Sequence, residues 1–213
     1  MKQKIILRTF LFTAAAALAG TTLAVAADNP APLPASGAMG LLGQTYAGVS
    51  YSYVNLDKSP VNADDYAFEF NQALNPGLDA LFHYDFTQAG LHLGDRANDQ
   101  SLGGALRLFN AAQAWGKPYV EAGVGYEWTR TMGVRDDSFT WEGAAGIEFQ
   151  AAPALTVTPY IKYEEAHDLA VGGLWKYGVR GNYWVDNQWA VTVGLEGNGN
   201  QDMKYTVGTS FRF

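Results

Sequence analysis

Apolar and polar residues alternate with a period of two almost everywhere from Gln44 to the end of the chain. Successive side chains of a β-strand point to opposite faces, so this pattern predicts strands with one apolar and one polar face. In one such segment the apolar positions are Val120, Ala122, Val124, Tyr126 and Trp128. Ten segments of this kind predict an all-β, antiparallel up-and-down β-barrel of ten strands, with eight strands as the alternative.

The connections between these segments alternate in length. Short turns with Pro, Gly or Asn fall at 75–77, 152–153 and 185–188, with a slightly longer one at 110–116. Longer polar segments fall at 57–64, 88–100, 131–137, 165–173 and 198–202. Outer-membrane barrels have short periplasmic turns and long external loops. An even number of strands places both termini on the periplasmic side.

The distribution of aromatic residues indicates which face meets lipid. One group lies near the long-loop ends: Tyr126, Trp128, Phe139, Trp141, Tyr163, Trp175 and Tyr177. A second group lies near the short turns: Phe149, Tyr183, Trp189 and Phe213. Two aromatic belts around an aliphatic band match the two interfaces of a membrane. A soluble sandwich or lipocalin-like barrel turns its apolar face inward, whereas the opposite face here carries Gly, Thr and charges that no soluble core accepts. The pattern therefore predicts a transmembrane barrel.

The first residues have the three parts of a secretory signal peptide. Lys2, Lys4 and Arg8 precede an apolar run over 10–19, and Ala24-Val25-Ala26 supplies the small residues of a cleavage site after Ala26 or Ala27. The apolar run is shorter than the roughly 20 residues that span a bilayer. We therefore predict a signal peptide at 1–26, a flexible periplasmic leader at 27–43 and the barrel at 44–213.

Composition and charge narrow the function classes. Without the three basic residues of the signal, 11 Lys and Arg face 21 Asp and Glu, which gives a net charge of −10. Proteins that bind nucleic acid carry a basic face, so no nucleic-acid partner is expected. The chain has no Cys, which excludes disulfides and a lipid-modified Cys. A mean hydropathy of −0.11 does not argue against a membrane barrel, because its two faces cancel.

The final ten residues, Lys204 to Phe213, place Tyr205, Val207, Phe211 and Phe213 on one face. This segment resembles the carboxy-terminal signal that the barrel assembly machinery recognises in outer-membrane proteins, although Thr209 is polar where that pattern is often apolar. Residues 44–213 resemble small bacterial outer-membrane β-barrel proteins. The resemblance implies the fold, the location in the outer membrane and the assembly route. It implies no single activity, because members include anchors, adhesins, narrow channels and hydrolases.

Candidate catalytic residues are few. His83 and Asp85 share the polar face of one predicted strand, where a His beside a rim carboxylate or Ser could activate a nucleophile or water. The alternative is that both belong to the hydrogen-bonded lumen, which we favour because no second motif accompanies them. His92 and His167 fall in predicted loops. No spacing suggests the three or four ligands of a metal site, so we predict no catalytic, cofactor or metal residues.

The predicted lumen face is charged. Its acids are Glu69, Asp85, Glu121, Glu127, Glu142, Glu148, Glu164 and Glu196. Its bases are Arg107, Lys162, Lys176, Arg180, Lys204 and Arg212. Strand directions bring these pairs to similar heights: Glu142 with Lys162, Glu164 with Lys176, Glu196 with Lys204, and Arg107 with Glu121.

Paired charges favour a plugged interior, because buried charges must be neutralised; a narrow cation-preferring channel is the alternative. Two functions remain. The first is a non-enzymatic monomeric barrel that contacts outer-membrane lipid and lipopolysaccharide and serves structure, surface contact or limited permeation. The second is an outer-membrane hydrolase that uses His83 and a rim carboxylate.

Overall fold

The computed structural model describes residues 40–57, 62–90, 96–112, 116–131, 134–167 and 173–213. They form a closed barrel in which every strand is antiparallel to its chain neighbours, and the last strand pairs with the first. The strands are β1 (Tyr46–Asn55), β2 (Ala63–Asn75), β3 (Leu78–Gly90), β4 (Arg96–Phe109), β5 (Lys117–Thr131), β6 (Val134–Ala152), β7 (Leu155–Ala166), β8 (Leu174–Trp184), β9 (Trp189–Asn198) and β10 (Met203–Arg212). The prediction of ten strands is confirmed.

The barrel has a terminus end and a loop end. The terminus end is where β1 begins and β10 ends, with Tyr46 opposite Arg212. The loop end is the opposite one, where Asn55 faces Met203. Among the described residues, no helix is long and apolar enough to cross a membrane.

The predicted alternation of faces is realised in the wall. On β9, Val193 is 56% exposed on the outer surface, whereas Thr192 is 7% exposed and turns inward. The outer surface also exposes aromatic rings towards both ends, including Tyr177 at the loop end and Tyr183 at the terminus end. An apolar outer face with polar residues inside is the arrangement that a lipid-embedded barrel requires.

The connections at the loop end are shorter than the polar segments of the sequence suggest. The segment 131–137, predicted as a long loop, is mostly strand, because β5 ends at Thr131 and β6 begins at Val134. The segment 88–100 likewise contributes to β3 and β4, which pair as far as Gly90 opposite Arg96. Polar residues beyond the membrane continue the hydrogen-bonded ladder, so polarity alone does not mark the end of a strand.

Turns at the terminus end are fixed by short polar side chains. The carboxylate of Asp186 accepts hydrogen bonds of 2.7 Å from the backbone N–H groups of Gln188 and Trp189. These donors lower the pKa of the Asp186 carboxyl, because they stabilise its charged form. In the β2–β3 turn, Asn75 accepts a bond of 3.0 Å from the N–H of Gly77. These turns connect neighbouring strands and set their register.

Candidate functional site

The lumen at the terminus end contains two leucines that precede the first strand. Leu41 is 5% exposed and packs against Tyr46, Trp184 and Ala190. Leu42 is 3% exposed and packs in a second cluster that also contains Phe109, Tyr119 and Tyr160. We call residues 40–43 the wedge. Both apolar clusters of buried residues in the described part of the chain therefore include a wedge leucine and lie at the end where the chain enters the barrel.

Polar groups of the wall hold the wedge backbone. Glu148 of β6 accepts hydrogen bonds from the N–H groups of Leu41 and Leu42, at 2.7 and 3.3 Å. Lys117 of β5 donates to the carbonyl oxygen of Leu42 at 3.0 Å and lies 3.5 Å from Glu148. Because Glu148 is only 4% exposed, these partners supply the hydrogen bonds that its buried charge needs.

Two glycines allow this close approach. Gly40 has φ of 151°, and a Cβ there would overlap the carboxylate of Glu148. Gly43 has φ of 79°, and a Cβ there would lie 2.9 Å from the ring of Phe109. The N–H of Gly43 also donates to Asp79 of β3 at 3.0 Å. The wedge conformation therefore depends on glycine at both positions.

The wedge changes the expected boundary of the barrel. The sequence predicts a flexible leader at 27–43, yet residues 40–43 lie inside the barrel wall. A segment without periodicity gives no sign of this, because the contacts that fix it come from β3, β5 and β6. The signal peptide at 1–26 and the leader at 27–39 lie outside the described residues and remain predictions.

On the loop-end side of the wedge, the side chains of two arginines point into the lumen. Arg107 Nε donates to Glu121 at 2.7 Å, which confirms the predicted pair between β4 and β5. Arg180 of β8 lies 3.4 Å from Glu69 of β2 on the opposite side of the lumen. Glu69 also accepts a hydrogen bond from the Tyr46 hydroxyl. Charges on opposite walls are therefore joined across the interior.

Nearer the loop end, one wall carries a chain of alternating charges. Lys162 of β7 lies 2.6 Å from Glu142 of β6 and 2.7 Å from Glu164. Lys176 of β8 forms a further ion pair with Glu164. The predicted pairs of Glu142 with Lys162 and Glu164 with Lys176 are confirmed. Lys162 and Glu164 each have two partners of opposite charge, which stabilises charges that are largely removed from water.

The fourth predicted pair, Glu196 with Lys204, does not form. The two residues are register partners on β9 and β10, but the Lys204 ammonium lies 2.6 Å from Asp65 of β2. Glu196 instead accepts a hydrogen bond of 2.8 Å from the Tyr160 hydroxyl. Lys204 reaches over β1 to the nearly buried Asp65, a contact that exists only because the barrel is closed.

Three carboxyl groups near the loop end, those of Asp85, Asp99 and Glu127, form no ion pair with Lys or Arg among the described residues. Ser101 of β4 lies opposite Asp85 of β3 and opposite Glu127 of β5. Its hydroxyl is 3.3 Å from Asp85, and Thr129 donates to Asp99 at 3.3 Å. An internal cavity of about 570 Å³ extends from the wedge to this region. Its loop-end part therefore has more carboxyl groups than cationic groups to pair with them.

His83, the candidate catalytic base, faces the lumen but not a nucleophile. Its Nδ1 lies 4.0 Å from Glu142, which is longer than a hydrogen bond. The hydroxyl of Ser101 contacts Asp85 rather than His83. His167 is exposed, and His92 lies outside the described residues. Among the residues that the structure describes, no three His, Asp or Glu side chains are grouped closely enough to hold a metal ion.

Several lumen residues escaped the sequence analysis. Leu41 and Leu42 stand in a segment rich in Pro, Ala and Gly, which carries no strand signal. Tyr46 and Trp184 are large apolar residues on the inner face, where the pattern predicts polar ones. The sequence signal for these two residues is their position in the alternation, because both fall in phase with polar neighbours on the same strand. In the structure, the Arg212 guanidinium lies 4.8 Å from the centre of the Trp184 ring.

Comparisons with known proteins give a likeness of fold. No family model matches the sequence, and no curated protein sequence matches it. An outer-membrane channel from Pseudomonas putida F1 aligns with a TM-score of 0.51 and 7% identity over 86% of this chain and 100% of that one. NanC porin aligns with a TM-score of 0.50 and 10% identity over 78% and 100%. Neisserial surface protein A aligns with a TM-score of 0.46 and 12% identity over 82% and 100%. The chain has the fold of small bacterial outer-membrane β-barrels, consistent with a location in that membrane.

Proposed function

We propose that this outer-membrane barrel is a non-enzymatic protein whose lumen is closed to bulk flow of solutes, and that it serves structure or surface contact. The observation that carries the proposal is the wedge, in which Leu41 and Leu42 pack inside the terminus end. In this proposal the protein is a monomer surrounded by outer-membrane lipid and lipopolysaccharide. The barrel assembly machinery binds it through Lys204 to Phe213.

The ion pairs of the lumen support a closed interior. Arg180 meets Glu69 from the opposite wall, and Lys162 joins Glu142 to Glu164. These side chains occupy part of the lumen, so a solute that crosses the barrel must either separate the ion pairs or fit through the space beside them. A lumen of ten strands is also much narrower than that of open porins with 16–18 strands.

The surroundings of His83 favour a non-enzymatic role. A general base must reach the proton that it removes, either directly or through one water. In the described part of the chain, His83 makes no hydrogen bond to a Ser or to a carboxylate, and Glu142 is already paired with Lys162. The hydrolase hypothesis therefore has no assembled nucleophile and base to support it.

Single-channel recording in a planar bilayer tests the proposal. We expect the wild-type mature chain to give little or no stepwise conductance. The double variant Leu41→Ser/Leu42→Ser removes the apolar packing of the wedge and should produce larger and more frequent steps. Val185→Ser is the matched control, because Val185 is 66% exposed in a turn at the same end but lies outside the lumen.

The fold of each variant is checked by heat-modifiable mobility before recording. A wild-type barrel that conducts as well as the Leu41→Ser/Leu42→Ser variant would overturn the closed-lumen proposal. Equal conductance of the Val185→Ser control and the double variant would show that the wedge is not the barrier.

Limited passage of cations is the second candidate function. Asp85, Asp99 and Glu127 line the loop-end part of the 570 Å³ cavity, and two barrels of similar fold are named as a porin and a channel. If the wild type conducts, its reversal potential in a KCl gradient should show cation preference. Ser101→Arg should reduce that preference, because it places a cation between Asp85 and Glu127.

A further inference from the structure

Two arginines lie directly opposite each other on the outer surface of the β5–β6 hairpin. Arg130 and Arg135 are register partners, and both side chains are exposed. They fall in phase with Val124, whose side chain is 54% exposed on the outer face. Opposed residues of an antiparallel pair have Cβ atoms about 4.5–5.5 Å apart, and like charges there are destabilising. An anion placed between the two guanidinium groups would offset this repulsion.

The described residues do not supply that anion. Neither Arg130 nor Arg135 forms an ion pair within the described part of the chain, although acids outnumber bases in the sequence. Asp137 is the next acid after Arg135 on the same face, and its carboxylate accepts a hydrogen bond from the hydroxyl of Tyr126. Within the described part of the chain, the two guanidinium groups therefore have no carboxylate of the protein as a partner.

A groove on the outer wall adjoins the two arginines. It has a volume of about 640 Å³ and is lined by Arg130 and Arg135 with Asn98, Leu102 and Trp128. Arg130 follows Trp128 by two residues, which is about 7 Å along a strand. Trp residues mark the membrane interface, so the arginines lie at the level of lipid headgroups while Leu102 lies towards the hydrocarbon.

We propose that this groove binds a phosphate-bearing lipid of the outer leaflet, with its phosphate between Arg130 and Arg135. Guanidinium groups present paired donors that match phosphate oxygens. The Asn98 amide lies on β4 opposite Arg130 and adds a neutral donor. Leu102 and Trp128 contact the apolar part of the same lipid. The inference rests on the orientation predicted from the sequence, in which the terminus end is periplasmic and the loop end faces outward.

Lipid binding to the refolded mature barrel in detergent tests the inference. The probes are bisphosphorylated lipid A, the same lipid without phosphates, and inorganic phosphate alone. We expect the wild type to bind the bisphosphorylated lipid at least about tenfold more tightly than Arg130→Gln/Arg135→Gln does, because charge-assisted hydrogen bonds are lost. Arg130→Lys/Arg135→Lys should retain part of the affinity. Arg212→Gln, the same change of residue type at the terminus end, should bind like the wild type.

The result that overturns the inference is equal affinity of the wild type and the Arg130→Gln/Arg135→Gln variant for the bisphosphorylated lipid. Equal affinity of the wild type for the lipid with and without phosphates would also overturn the inference. Competition by millimolar inorganic phosphate alone would assign the arginines to a free anion rather than a lipid. If the double variant does not fold, Arg130→Gln alone is measured, and its affinity must also fall. Conductance reports on the lumen, so a failure of the closed-lumen proposal leaves this binding result unchanged.

Discussion

Neighbouring side chains on one strand of this barrel meet opposite surroundings. Val193 lies on the outer face in the middle of β9, with Val207 of β10 as its register partner. Val193→Arg should lower the free energy of unfolding by about 2–4 kcal/mol, because it places a charge in the hydrocarbon. The measurement is reversible unfolding of the barrel in lipid vesicles. A change below 1 kcal/mol would contradict the assignment of this face to lipid.

An arginine introduced on the inner face should have a different outcome. Ser101 lies between Asp85 and Glu127, beside the cavity near the loop end. Ser101→Arg gains two carboxylate partners, so we expect the free energy of unfolding to change by about 1 kcal/mol or less. The same vesicle experiment measures it. Destabilisation as large as that of Val193→Arg would mean that this part of the lumen cannot accept a cation.

The individual contacts show how far the sequence could predict the lumen. Arg107 with Glu121 could be predicted because both residues belong to one hairpin, whose register follows from alternation. Lys204 could not be assigned to Asp65, because their contact crosses the seam between the first and last strands. Alternation gives the facing direction of every residue but not the heights at which distant strands meet.

The last strand has two separable roles, in closure and in assembly. It pairs with β1 along its whole length, and the Phe213 N–H donates to Thr45 at 3.1 Å. Deletion of Phe213 keeps nearly all of this pairing but removes the end of the predicted assembly signal. We expect outer-membrane levels in cells to fall several-fold, while heat-modifiable mobility of the refolded barrel stays close to that of the wild type. Normal cellular levels would show that the terminal Phe is incidental.

Truncation before Lys204 is the contrasting variant for the same strand. It removes the partner of β1 and of β9, so backbone groups of both strands would face hydrocarbon without hydrogen bonds. Neither refolding nor cellular assembly should then give a heat-modifiable product. A folded product would contradict the closure of the barrel through β10.

Strand number and strand faces were predictable, whereas strand ends and the wedge were not. The hydrogen-bonded ladder of β5 and β6 continues through Thr129 and Asp137 beyond the aromatic belt, where alternation has ended, so this hairpin is longer than its apolar part. The wedge has no alternation, and its two glycines, Gly40 and Gly43, predict a turn but not where in the barrel that turn packs. Its position depends on Glu148, which is 107 residues away from Leu41 in sequence.

The mature molecule should lack the first 26 or 27 residues of the chain. Intact-mass measurement of protein extracted from outer membranes should therefore give a chain that begins at Ala27 or Asp28. The same spectrum should contain no lipid modification, because the chain has no Cys. Retention of Met1 would contradict the predicted export signal.

The distance in sequence between Leu41 and Glu148 also fixes an order of events during folding. The wedge is among the first parts of the barrel to emerge from synthesis, yet its binding site requires β3, β5 and β6 in their final positions. The contacts of Leu41 and Leu42 therefore cannot form before these later strands are in place, so a segment that enters the periplasm early waits for strands that follow it in the chain.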